Sequence, residues 1–142
     1  MIVEVFKPYH IDLLRAQGVQ GAQLAEVSIV PVSCVIQPPG PAVTAFDEHH
    51  HIILCGGIVV QAPGRGECWA LMADGVGKHM RALHYATRRF LAIQPWRRLE
   101  ATIEEGFGAG CRWVELLGFE YEGTMKNYGL NGETHLRYAK VG

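Results

Sequence analysis

The chain has 142 residues, 49% of them hydrophobic, and thirteen basic against fourteen acidic side chains leave a formal net charge of -1 at pH 7. That length fits one domain, 1–142, able to bury about two-thirds of its unfolded surface. A balance so near neutrality argues against a nucleic-acid backbone or an anionic membrane as the main partner. Cys34, Cys55, Cys68 and Cys111 are far apart, with no paired spacing, and read as reduced, mostly buried thiols. The N-terminus lacks the basic-then-apolar pattern of a secretion signal, and no stretch approaches the roughly 18 apolar residues of a membrane helix, so a soluble cytoplasmic protein is expected.

Ile2 to Phe6 reads as an opening strand stopped by Pro8, and Tyr9 to Leu24 as two short helices broken by Gly18 and Gly21. Pro31 and Pro38-Pro39-Gly40-Pro41 mark a loop. Ala42 to Phe46 and Ile52 to Val60 are β-rich and flank the polar turn Asp47-Glu48-His49-His50-His51, a hairpin pattern. Gly56-Gly57 inside the second strand signals a bulge or a close backbone approach. A turn over Ala62 to Glu67 leads to the fourth strand, Cys68 to Met72. The longest helix is expected from near Gly75 to Ile93. Val76, Met80, Leu83, Thr87, Phe90 and Leu91 form its apolar stripe, and Lys78, Arg81, Tyr85, Arg88 and Arg89 face away. Leu99, Ala101 and Ile103 alternate with Arg98, Glu100 and Thr102 as a fifth strand. A helix through Phe107, Cys111, Val114 and Leu117 ends at Gly118, and two strands joined by an Asn131-Gly132 turn close the chain at Val141. The reading is an α/β (α+β) domain with a mixed, mostly antiparallel sheet of six to seven strands and about four helices. The fourth and fifth strands should lie parallel across a helical crossover.

Two clusters carry chemistry by residue type. Gly75-Val76-Gly77-Lys78-His79 lies between a strand and a helix, where backbone amides and a helix N-terminus suit an anion such as a pyrophosphate. Asp47 to His51 holds ligand chemistry for zinc or nickel, but neighbouring strand residues point to opposite sides, so a solvated hairpin tip is the default and no metal site is assigned. Arg88, Arg89, Arg97, Arg98 and Arg112 read as scattered exposed cations, without the aromatic interleaving of a nucleic-acid surface. Trp69, Trp96 and Trp113 read as packing residues.

The junction Leu116-Leu117-Gly118-Phe119-Glu120 followed by Glu122-Gly123, together with the element order, resembles the GNAT N-acyltransferase superfamily. The resemblance implies transfer of an acetyl or acyl group from acetyl-CoA to an amine, an acceptor that is a small amine or a protein. It places the coenzyme on strand four at Leu71 and Met72 and on Gly75, Val76, Gly77, Lys78 and His79, which match the end of the family's pyrophosphate loop. Met72 stands where that loop usually has Arg or Gln, and Val114 where the family often has a tyrosine acid. It implies a carboxylate base from Glu67, Glu104 or Glu105, and Tyr128 or Tyr121 in place of the missing tyrosine.

A second set, Gly56-Gly57, Cys68-Trp69, Trp96-Arg97-Arg98-Leu99-Glu100, Arg112-Trp113 and Leu117 to Glu120, resembles proteins of short-tailed bacteriophages related to the internal virion protein A group, which carry a degenerate GNAT-like sequence. That resemblance implies the alternative of a non-catalytic virion-assembly or accessory protein with phage partners, sited in the host cytoplasm or the virion. The terminal hairpin offers a pairing element for a homodimer.

Overall fold

In the computed structural model, residues 1–18, 25–26, 40–73 and 75–142 are described, without the side chains of 15–18, 25 and 26. Eight strands, β1 (Ile2–Val5), β2 (Ala25–Glu26), β3 (Ala42–Phe46), β4 (Ile52–Ala62), β5 (Arg65–Met72), β6 (Arg98–Glu104), β7 (Glu120–Met125) and β8 (His135–Val141), form one sheet. Seven of them run in the order β1-β3-β4-β5-β6-β8-β7, and β2 joins β5 off that path. Every pairing is antiparallel except β5 with β6, which is parallel. The described helices are α1 (Tyr9–Gly18), α2 (Met80–Leu91) and α3 (Gly108–Leu116), with a 3-10 turn over Val76–His79 leading into α2. None is long and apolar enough to cross a membrane.

Strand alternation sorts the apolar residues onto two faces. On one, Leu54, Ala70, Met72, Leu99, Ala101 and Ile103 pack with Leu83 and Leu91 of α2 and Trp113 and Val114 of α3. On the other, Phe46, Ile52, Cys55, Trp69 and Leu71 pack with Phe6 and with Ile11 and Leu14 of α1. The stripe expected for the long helix is realised, with Leu83 and Leu91 buried and Arg81, Tyr85, Arg88 and Arg89 exposed, but its first turn is 3-10 and it ends at Leu91. Helix α1 is continuous from Tyr9 to Gly18, and the second helix expected before Leu24 lies outside the described residues, as does Cys34.

The Leu117-Gly118-Phe119 step is a helix stop of defined geometry. Gly118 takes φ +97°, its N–H donates to Glu115 O at 3.0 Å, and the Phe119 N–H donates to Val114 O at 3.0 Å. These are the two bonds of a Schellman motif, whose left-handed residue favours glycine. Lys140 Nζ donates to Leu117 O at 3.0 Å, placing a cation where the helix dipole welcomes it.

Gly56-Gly57 is a close approach and not a bulge. The register irregularities lie instead between Ala45 and Phe46 and between Val60 and Ala62. A Cβ on Gly57 would sit 2.5 Å from Pro41 O and 2.7 Å from Ala42 Cβ. Strand β1 is an edge strand with Ile2, Val3 and Val5 exposed, whereas β7 at the other end carries exposed Glu120 and Glu122.

His10 of α1 is 2% exposed and ringed by Phe6, Tyr9 and Phe46. Its Nδ1 accepts the Lys7 N–H at 3.1 Å and lies 2.8 Å from Thr44 Oγ1. Burial holds its pKa below the ordinary 6.5 against the pull of the Glu4 carboxylate, with Lys7 adding to the depression.

Two outcomes are expected. Gly57→Ala forces backbone against backbone and destabilises by about 2 kcal/mol, read as a lower urea midpoint with an unchanged slope. A histidine with a lowered folded pKa stays neutral while the unfolded chain takes up its proton, so its contribution is complete above pH 6.5 and declines as pH falls below that value. His10→Asn, which keeps an acceptor near Nδ1, removes this part of the pH dependence in a series of denaturant melts.

Candidate functional site

The site follows from how β5 is shared. One edge pairs with β4 from Arg65 to Met72. The other pairs with β6 over three rungs, Arg65↔Arg98, Gly66↔Leu99 and Glu67↔Glu100. Beyond Glu67 the parallel strands part, and β6 continues against β8 as far as Glu104↔His135. Since β4 already holds one edge of Leu71 and Met72, β2 meets them on the β6 side, through Ala25↔Met72 and Glu26↔Leu71. Cys68, Trp69 and Ala70 lie between, about 10 Å of backbone with no strand on that edge among the described residues.

At the last rung two carboxylates stand side by side, because paired residues share a face. Glu67 and Glu100 are both mostly shielded, with side chains 15% and 16% exposed. Their repulsion is offset by Arg137, whose Nη1 lies 2.7 Å from Glu100 Oε2 and 3.8 Å from Glu67 Oε1. Glu67 also accepts from Gln61 Nε2 at 3.1 Å and from the buried Thr102 hydroxyl at 3.4 Å. Arg98 donates from Nε to Glu100 at 2.9 Å and from both terminal nitrogens to Glu122, whose carboxyl it holds below the usual range. Arg98 is therefore half-buried and paired, where the sequence suggested a free surface cation.

Past the gap, the chain turns at Gly75, with φ +74°, into the 3-10 turn and α2. A side chain at Gly75 or Gly77 would meet nothing within 4 Å, so this turn is open. Its first turn has no acidic residue, Lys78 and His79 close it, and Gly75, Gly77 and Lys78 are exposed. His79 Nε2 is buried without a partner among the described residues.

The other candidates lie elsewhere. Glu104 is exposed at the end of β6, four residues or about 13 Å beyond the closing rung, opposite His135. Tyr128, in the β7–β8 connection, packs edge-on against the same His135 with ring centroids 5.6 Å apart. The structure thus brings Glu104 and Tyr128 to one residue and sets Glu67 apart at the closing rung. Glu105 is exposed, its N–H donating to Thr134 O at 2.9 Å, and Tyr121 packs against Tyr138. Val114 is 2% exposed inside the core. Burial pushes the thiols of Cys55 and Cys68 up, to about 11 and about 12, so neither supplies a thiolate near neutral pH. At the hairpin tip, Asp47 Oδ1 accepts the His49 and His51 N–H groups at 2.8 and 2.9 Å, organising the turn, while all three histidines face solvent. No group of three metal-ligating side chains gathers among the described residues.

Arg137 and Gln61 were not singled out in the sequence, and Glu100 and Thr102 were read only as the polar positions of a strand, not as site residues. The signal was the polar alternation of β6, which places Glu100 and Thr102 on Glu67's side.

No family model matches the chain, and no curated protein matches it. Solved structures do, and they show that it has the GNAT fold. An N-acetyltransferase from Staphylococcus aureus Mu50 aligns over 99% of this chain and 96% of its own, with TM-score 0.73 and 8% identity. A variant of spermidine N-acetyltransferase SpeG from Vibrio cholerae aligns over 99% and 95%, with TM-score 0.69 and 8% identity. A ribosomal-protein-alanine N-acetyltransferase from Brucella melitensis aligns over 99% of both chains, with TM-score 0.63 and 20% identity.

Arg137→Met leaves two adjacent carboxylates without their shared cation and is expected to lower stability by about 2 kcal/mol. Adding Glu100→Gln removes the repulsion and recovers part of that loss, which a double-mutant cycle in urea measures as a coupling energy.

Proposed function

We propose that the chain is an acyl-CoA-dependent N-acyltransferase, moving an acyl group from a coenzyme A thioester to an amine. One observation carries the reading: β5 and β6 separate after Glu67↔Glu100, and among the described residues the β5 edge beyond that rung has no strand on it at Cys68–Ala70 on the way to the open glycine turn. Backbone groups on such an edge suit the amides of a pantetheine arm, and the turn suits a pyrophosphate. Gly75, Val76 and Gly77 offer amide groups at a helix start, with Lys78 and His79 beside them. Leu71 and Met72 stand between that edge and the turn, but their own outer edge is taken by β2 and their side chains are buried in the core, so they border the coenzyme path and leave its backbone contacts to Cys68–Ala70.

Coenzyme A supplies the activated thioester; the chain supplies position and a proton acceptor. The amine attacks the thioester carbonyl, a C–N bond forms, the C–S bond breaks, and coenzyme A leaves as its thiol. Glu67, at the closing rung, takes the proton that the ammonium must lose, directly or through water. Protonated Cys55 and Cys68 support direct attack over a cysteine-bound intermediate. Glu104 and Tyr128, sharing His135, are assigned to the acceptor side. The neighbours named for spermidine and for ribosomal-protein alanine have amine acceptors, which supports the same acceptor class here.

Calorimetric titration with acetyl-CoA and desulfo-CoA should show saturable binding in the micromolar range. No heat at millimolar ligand overturns the reading and leaves the non-catalytic virion-assembly alternative. Glu67→Gln is expected to lower kcat about 10²-fold with little change in acetyl-CoA affinity.

A further inference from the structure

Resting on the acyltransferase reading, we infer that the acyl group carried is a short aliphatic chain of about four carbons, held in an apolar cavity between the sheet and α2. The cavity has a volume of about 110 Å³. Cys68 and Ala101 line it, the first residues beyond the closing rung on β5 and β6, so it begins where the two strands part. Ala70, Gly56 and Ala86 continue its wall. These small side chains leave the void, which a close-packed core would otherwise fill.

The two sides of the closing rung differ in chemistry. On one stand Glu67, Glu100 and Arg137, paired and mostly shielded. On the other the lining is almost wholly apolar. A hydrocarbon tail leaving a thioester at this point loses nothing by entering the second side, whereas the first side would have to give up charge solvation. The amine then approaches from the charged side. An apolar cavity of about 150 Å³ is enough for benzene, so this volume takes about four carbons and is too small for a long chain.

The test compares acetyl-, butyryl- and octanoyl-CoA by calorimetry on the full chain. Two added methylenes in an apolar site should make butyryl-CoA bind about tenfold more tightly than acetyl-CoA, and octanoyl-CoA should gain nothing over butyryl-CoA. Ala86→Phe fills the cavity, and the butyryl-to-acetyl ratio should fall to about one; Ala86→Val, a smaller change with its melt checked, should reduce it. Equal affinities for acetyl- and butyryl-CoA in the unaltered chain, or a preference that survives both substitutions, overturn the pocket alone. If none of the three thioesters binds, the acyltransferase reading falls with it.

Discussion

The structure depends on where a parallel pairing stops. Strands β5 and β6 share three rungs and then each follows its own antiparallel neighbour, β5 with β4 and β6 with β8. The sheet thereby becomes two half-sheets joined over three rungs, the last of them Glu67↔Glu100. Parallel pairing is slightly weaker per residue than antiparallel, and this join has three rungs where β6 and β8 share seven. At that last rung stand two carboxylates, and Arg137, anchored on β8, draws both halves together by binding one acid from each. The polar side of the join is thus held by charge and the other by apolar packing under two helices.

This division explains an asymmetry along β6. Its residues facing α2 and α3, Leu99, Ala101 and Ile103, are buried as an ordinary core strand requires. Those on the opposite side, Arg98, Glu100, Thr102 and Glu104, are polar, and α1 packs over β3, β4 and β5 instead. Thr102 is nonetheless 1% exposed, its hydroxyl donating to Glu67 across the rung. A polar residue so shielded fits a sheet face shaped by specific hydrogen bonds.

Much of the fold was legible because its signals are local. Gly118 could be read as a helix stop since only a left-handed residue closes that turn, and the stripe from Met80 to Leu91 follows from helical period alone. The solved N-acetyltransferases bear out the fold that Leu116 to Gly123 suggested. Pairings distant in sequence were not legible. Nothing local says that Arg137 will meet Glu67 and Glu100, or that β2 will settle against Leu71 and Met72, because each contact depends on registers set by other strands. Gly56-Gly57 showed the intermediate case. The pair announced a constraint, and the structure decided between kink and crowding, with Pro41 as the crowding neighbour. The open glycine turn was visible in the sequence as a pattern, whereas the parting of β5 and β6 after Glu67↔Glu100 was not.

The two ends of the sheet are guarded unequally. At β7, negatively charged side chains discourage a stranger from adding to the ladder. At β1, the outer backbone is bordered by Ile2, Val3 and Val5 with Glu4 as the lone charge, and brevity is the chief restraint on recruitment of another chain. Four residues give few main-chain bonds to a would-be partner, which limits what the strand can recruit. A tag or fusion that prolonged it with alternating apolar residues would turn a harmless border into a nucleus for fibrils.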